Sequence, residues 1–91
     1  DSSLLNNNLA WLCAMADRKL ELALQHAEKA VKLAPAKGGY LDTHAEVHLR
    51  KGDVAKAVEL EEKAVRLDPA NANLKKQLKR FQAGLPADGA E

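Results

Sequence analysis

Three histidines, one cysteine and a scatter of carboxylates are the side chains here whose types could do chemistry. His44 and His48 are four residues apart. On a helix that spacing puts both imidazoles on one face, where they could share a metal ion. The glutamate nearby is Glu46, not the residue directly after the first histidine, so the pair does not form the two-histidine hydrolase motif. No third ligand is evident, and packing inside the fold is the expectation for both rings. His26 has no obvious partner. Cys13 is the sole cysteine, so no internal disulfide can form. It has no His or Asp at the spacing of a known nucleophile signature, and a lone Cys of this kind reads as a small buried apolar residue. There is no glycine-rich phosphate loop. The acidic residues sit beside Lys and Arg, as on solvated helix faces. The expectation is a protein that is not an enzyme and uses no metal or cofactor.

Composition narrows the partners. The chain has 91 residues, enough for one small domain, and a formal net charge of +1 from 14 basic and 13 acidic residues. That balance gives no general attraction to nucleic acid or to an anionic membrane. One Trp, one Tyr and one Phe do not make a stacking platform for bases. No apolar run reaches the roughly 20 residues that cross a bilayer, and no signal peptide is visible. The sequence begins at Asp1 without a Met, which reads as a piece of a longer protein or a processed product.

The elements follow from punctuation. Pro35 and Pro69 each come directly after a helical pattern. Proline cannot donate the next helical hydrogen bond and disfavours helix in the residue before it, so each ends a helix. Gly52-Asp53 marks one helix end and the N-cap of the next. The predicted helices span 5–16, 20–34, 40–51, 54–67 and 71–82, with a turn at 17–18 and a tail from 84 to 91. The fourth carries Val54, Ala57, Val58, Leu60, Ala64, Val65 and Leu67 at helical spacing. The fifth carries Leu74, Leu78 and Phe81 on one face with Lys75, Lys76, Lys79 and Arg80 around them, which suits the end of a stack.

The block Glu28-Lys29-Ala30-Val31-Lys32-Leu33-Ala34-Pro35 returns as Glu62-Lys63-Ala64-Val65-Arg66-Leu67-Asp68-Pro69, an offset of 34. Aligning Leu9-Ala10 with His44-Ala45 gives an offset of 35. A unit of this length cannot bury its apolar face alone, so such units stack. The pattern resembles the tetratricopeptide repeat, whose period is about 34 residues. Leu41, Ala45, Gly52, Ala57, Ala64 and Pro69 fit its motif in the second unit, and Leu9, Ala10, Ala23, Ala30 and Pro35 in the first. His44 stands where the family favours Leu, His48 where it favours a large aromatic, and Ala27 and Glu61 where an aromatic is usual. The resemblance implies an all-α, right-handed α-solenoid. It has two helix-turn-helix repeats (about 4–35 and 38–69) and a C-terminal capping helix (about 71–82), together a domain over 1–83 with a flexible tail at 84–91.

It also implies a concave groove lined by the first helix of each pair. The positions carried over are Leu4, Asn7, Trp11 and Met15, then Asp42, Glu46, Leu49 and Arg50, then Lys76 and Arg80. The expected groove has an apolar end at Trp11 and Met15, an acidic middle at Asp42 and Glu46, and a basic end at Lys76 and Arg80. The function implied is non-catalytic binding of a peptide or partner protein with some basic character near its centre. Some members of the family clamp the C-terminal carboxylate of a chaperone tail. Asn7 and Asn8 would serve that clamp, but Asp42 and Glu46 would repel an acidic tail. The alternative is structural: the C-terminal end of a longer repeat array, or a self-associating scaffold, with Trp11 and Leu4 as interface residues.

Overall fold

The computed structural model describes residues 2–16 and 19–84. Among them are five α-helices and no strand: α1 (Ser2–Met15), α2 (Leu20–Leu33), α3 (Gly38–Arg50), α4 (Val54–Leu67) and α5 (Ala72–Gln82). The turn expected at 17–18 and the tail expected beyond Gly84 lie outside the described residues.

Local chemistry accounts for the boundaries. Gly52 sits at φ +91°, a left-handed conformation that glycine adopts without steric penalty. There the Gly52 N–H donates to Leu49 O at 3.0 Å and the Asp53 N–H to His48 O at 2.9 Å, closing α3. Asp53 then opens α4, its carboxylate accepting from the Lys56 N–H at 3.1 Å. Asn71 opens α5 in the same manner, its side-chain oxygen accepting from the N–H groups of Asn73 (3.0 Å) and Leu74 (3.2 Å). The connection into α2 offers no glycine. Lys19 takes the left-handed conformation instead, at φ 51°, and provides no side-chain cap. Two helices begin earlier than their punctuation predicts: α1 at Ser2 and α3 at Gly38. Gly38 is buried, and its lack of a side chain lets α3 start hard against Leu74 and the Ala64 carbonyl.

Each helix packs on its neighbour in the chain, and α3 also meets α1 and α5. Small residues set the spacing. Ala10, Ala14, Ala23 and Ala27 bring α1 and α2 together and receive Val47 from α3. A second cluster joins Leu41, Ala45 and Leu49 of α3 to Ala57, Leu60 and Ala64 of α4 and to Leu74 and Phe81 of α5. Phe81 is fully buried. Truncating such a ring to Ala typically costs about 3–5 kcal/mol. The helices form a body with extents of 30 × 29 × 18 Å.

Candidate functional site where α1, α3 and α5 meet

The helix contacts bring part of the expected groove together as one chain of polar contacts. Glu46 is 1 % exposed, deep for a carboxylate. One of its oxygens, Oε2, accepts from Arg50 Nε at 3.1 Å, one turn along α3. The other, Oε1, accepts from Arg80 Nη2 of α5 at 2.5 Å. Arg80 Nε also donates to Gln77 Oε1 at 2.6 Å, and its guanidinium lies 4.5 Å from the centre of the Phe81 ring. Arg50 reaches the other way, its Nη2 lying 3.9 Å from Met15 Sδ at the end of α1. A buried carboxylate with two guanidinium partners is the arrangement that offsets its own desolvation.

Below this chain lies a pair of carboxyls. Glu61 of α4 is fully buried, and neither of its oxygens has a hydrogen-bond donor facing it. Nor does Oδ1 of the half-buried Asp42. Burial, reinforced by the neighbouring Asp42 carboxyl, pushes Glu61 up to about 9. Asp42 is raised as well, first by burial and further by Glu46, while its hydrogen bond with Glu61 and the charge of Arg80 pull it down. These facts agree if Glu61 keeps its proton at neutral pH and donates it to Asp42. Two acceptors without a donor then become one donor and one acceptor.

Not every expected groove residue lines an open surface. Leu49 is a correction: at 7 % exposure it packs among Leu41, Ala45 and Ala57 in the core, because α3 turns that face toward α4. The expected acidic middle and basic end also need revision. Glu46 of the first and Arg80 of the second are joined to each other, so neither stands as a separate charge for a ligand. Asn7, Trp11, Met15 and Arg50 are half-buried, with Asn7 Oδ1 buried and unpartnered. Leu4 and Lys76 are exposed.

Glu61 is the site residue that motif reading missed. The signal was present: it stands four residues after Ala57 and three before Ala64, on the stripe that α4 buries.

The two histidines lie on another part of α3, with ring centres 5.0 Å apart and planes tilted by 45°. Burial pushes His44 down to about 4, aided by the charges of His48 and Lys56. Both of its ring nitrogens are buried without partners. His48 is also lowered, first by burial. Among the described residues no three His, Cys, Asp or Glu side chains gather as metal ligands would. His26, for which the sequence suggests no partner, has one in Asn6, whose Oδ1 lies 2.8 Å from Nδ1. Asn6 Nδ2 donates to Ser2 O, so His26 Nδ1 is the donor of that pair. Cys13 is half-buried at the edge of the alanine cluster. A shallow open depression of about 400 Å³, lined by Ser2, Ser3, Leu33, Ala34 and Lys37, lies at the opposite end of α1 from Met15. None of the helices is long and apolar enough to cross a membrane. Compared with family models, curated proteins and solved structures, the chain finds no match.

Proposed function

We propose that this protein is a tetratricopeptide-type interaction module that binds a peptide or partner protein, without catalysis, across the face built by α1, α3 and α5. The observation that carries the reading is the order of contacts: α3 meets both α1 and α5, as first helices of successive pairs would. The return of the Glu-Lys-Ala-Val block of α2 in α4 supports it from the sequence. On this face Trp11 and Met15 offer the apolar contact. Trp is a frequent anchor of binding energy and Met an adaptable neighbour. Arg50, resting on Met15 and bonded to Glu46, fixes the middle of the face, so the ligand meets a rigid floor.

The test is a displayed-peptide selection on the wild-type chain, followed by titration of the selected peptides against wild type and Trp11→Ala. The expected loss is about tenfold or more, the usual weight of an aromatic anchor. Equal affinity for both proteins, with helicity intact, would remove this face from the binding site.

A further inference from the structure

Three helices of this chain carry an apolar pair at the same spacing. Leu5 and Leu12 on α1, Tyr40 and Val47 on α3, and Leu74 and Phe81 on α5 are each seven residues apart. The pairs follow one another at the spacing of the sequence repeat, with offsets of 35 and then 34. In α3 the pair is buried, Tyr40 at 8 % and Val47 at 0 %, and in α5 likewise, Leu74 at 2 % and Phe81 at 0 %. In α1 the equivalent pair is open: Leu5 is 59 % exposed and Leu12 64 %. The difference is what precedes each helix. α3 is packed on α2, and α5 on α4. Among the described residues, no helix precedes α1.

We infer that the Leu5–Leu12 stripe of α1 is a docking site for one more helix of the α2 and α4 kind, lying outside these 91 residues. The chemistry of that helix can be read from the two that already cover such pairs. Ala23 and Ala27 of α2 receive Val47, with Val31 against the neighbouring cluster. Ala57 and Ala64 of α4 line the cluster that holds Leu74 and Phe81, with Val58 and Val65 at its edge. The occupant is therefore an amphipathic helix with small residues at i and i+7 and a Val directly after the last; at i+4, α2 carries Ala27 and α4 carries Glu61. The small residues let the backbones approach closely, and Leu5 and Leu12 fill the space that leaves. A second copy of the chain cannot supply this surface from α2 or α4, because Ala23, Ala27, Ala30, Ala57 and Ala64 are all buried within their own fold. The inference rests on the equivalence of the three helices, independently of whether the Trp11 face binds peptide.

The test uses the full chain and, as probe, a synthetic peptide of its own residues 20–35 at up to millimolar concentration, followed by backbone amide NMR. An isolated helix of this length is marginal in water, so weak, fast-exchange binding is expected. Saturable shifts should centre on the amides around Leu5 to Leu12. They should weaken at least tenfold in Leu12→Asp and in Leu5→Asp, exposed positions whose substitution leaves the fold in place. A peptide with Glu in place of both Ala23 and Ala30 should not bind. Shifts that are absent, or unchanged by both substitutions, overturn the inference. So does a concentration-dependent dimer in sedimentation that Leu12→Asp dissolves, since a second copy would then be the occupant.

Discussion

Arg80 Nη2 of α5 lies 2.5 Å from Glu46 Oε1 of α3, and the two residues are 34 apart in the chain. The separation equals the period of the sequence, so one residue of a recurring position holds its counterpart in the next unit. The contact ties the last helix to the middle of the molecule through a carboxylate that is almost fully buried. Removing either partner has unequal consequences, because Glu46 has no access to water to replace a lost donor.

Arg80→Leu should destabilise the fold by about 3 kcal/mol, in the range seen when one member of a buried ion pair is removed. Glu46→Leu with Arg80→Leu should cost less than the sum of the two single changes, because the Arg80–Glu46 contact is lost only once, although Arg50 also loses Glu46. Urea denaturation of the two singles and the double closes the cycle. Additive effects would mean that the pair does not couple α3 to α5.

Stability should fall as pH rises above neutrality. Glu61 moves from an ordinary 4.5 to about 9 on folding. Between those values the folded chain holds a proton that the unfolded chain has released, so each rise in pH favours unfolding. His44 works in the opposite sense. Its value drops from 6.5 to about 4. Within that window the unfolded chain holds the extra proton, and stability rises with pH; His48, also lowered, adds to this trend. Below 6.5 the histidines and the carboxyl pair oppose each other, and above it the carboxyl pair acts alone. The urea midpoint should therefore be lower at pH 8.5 than at pH 6.5. Glu61→Gln keeps a donor for Asp42 and should flatten that decline; the same decline in the variant would place the proton elsewhere.

His44→Leu should stabilise the protein by about 1 kcal/mol, since it removes a half-buried ring whose two nitrogens are buried without a partner. Leu suits the position in size, and the change should also remove the His44 contribution that rises between pH 4 and 6.5, leaving the decline from the carboxyl pair less opposed there. Thermal melts at pH 5 and pH 7 give the sign. A loss of stability at both values would mean that the imidazole is hydrogen-bonded after all.

The helices were legible in the sequence because their signals are local. Asp53 caps α4 through the Lys56 N–H, one turn away, and Gly52 closes α3 through its own φ. The same is true of the alanine stripes that the helical period puts on one face, as in Ala23, Ala27 and Ala30. The polar site was only half legible. Asp42, Glu46 and Arg80 could be placed on one side of the fold, but which charges would be consumed by each other depends on α5 closing on α3. Glu61 stood out only as an acid where the repeat favours an aromatic, with nothing to mark its carboxyl as the partner of Asp42. A carboxylate on a buried stripe is stable only if it keeps its proton, and Asp42, which receives it, stands on a different helix. Lys19 shows the reverse case: without a glycine, nothing marked the residue that takes the left-handed turn.

Gly38 and Gly39 are adjacent and should respond in opposite directions to alanine. Both lie in the first turn of α3, where Ala is intrinsically better than Gly by up to about 1 kcal/mol. A Cβ on Gly39 meets nothing within 4 Å, so Gly39→Ala should realise that gain, in part by restricting the unfolded chain. A Cβ on Gly38 would come within 3.1 Å of Leu74 Cδ1 and 3.2 Å of the Ala64 carbonyl oxygen. The Leu74 methyl can rotate away. The Ala64 carbonyl cannot, because it accepts the Asp68 N–H that ends α4. Gly38→Ala should thus push α3 away from α4 and α5 and lose about 1–3 kcal/mol, the usual cost of overpacking. Urea midpoints for the two variants should fall on either side of wild type. Stabilisation by both would mean that α3, α4 and α5 pack less tightly at Gly38 than these distances require.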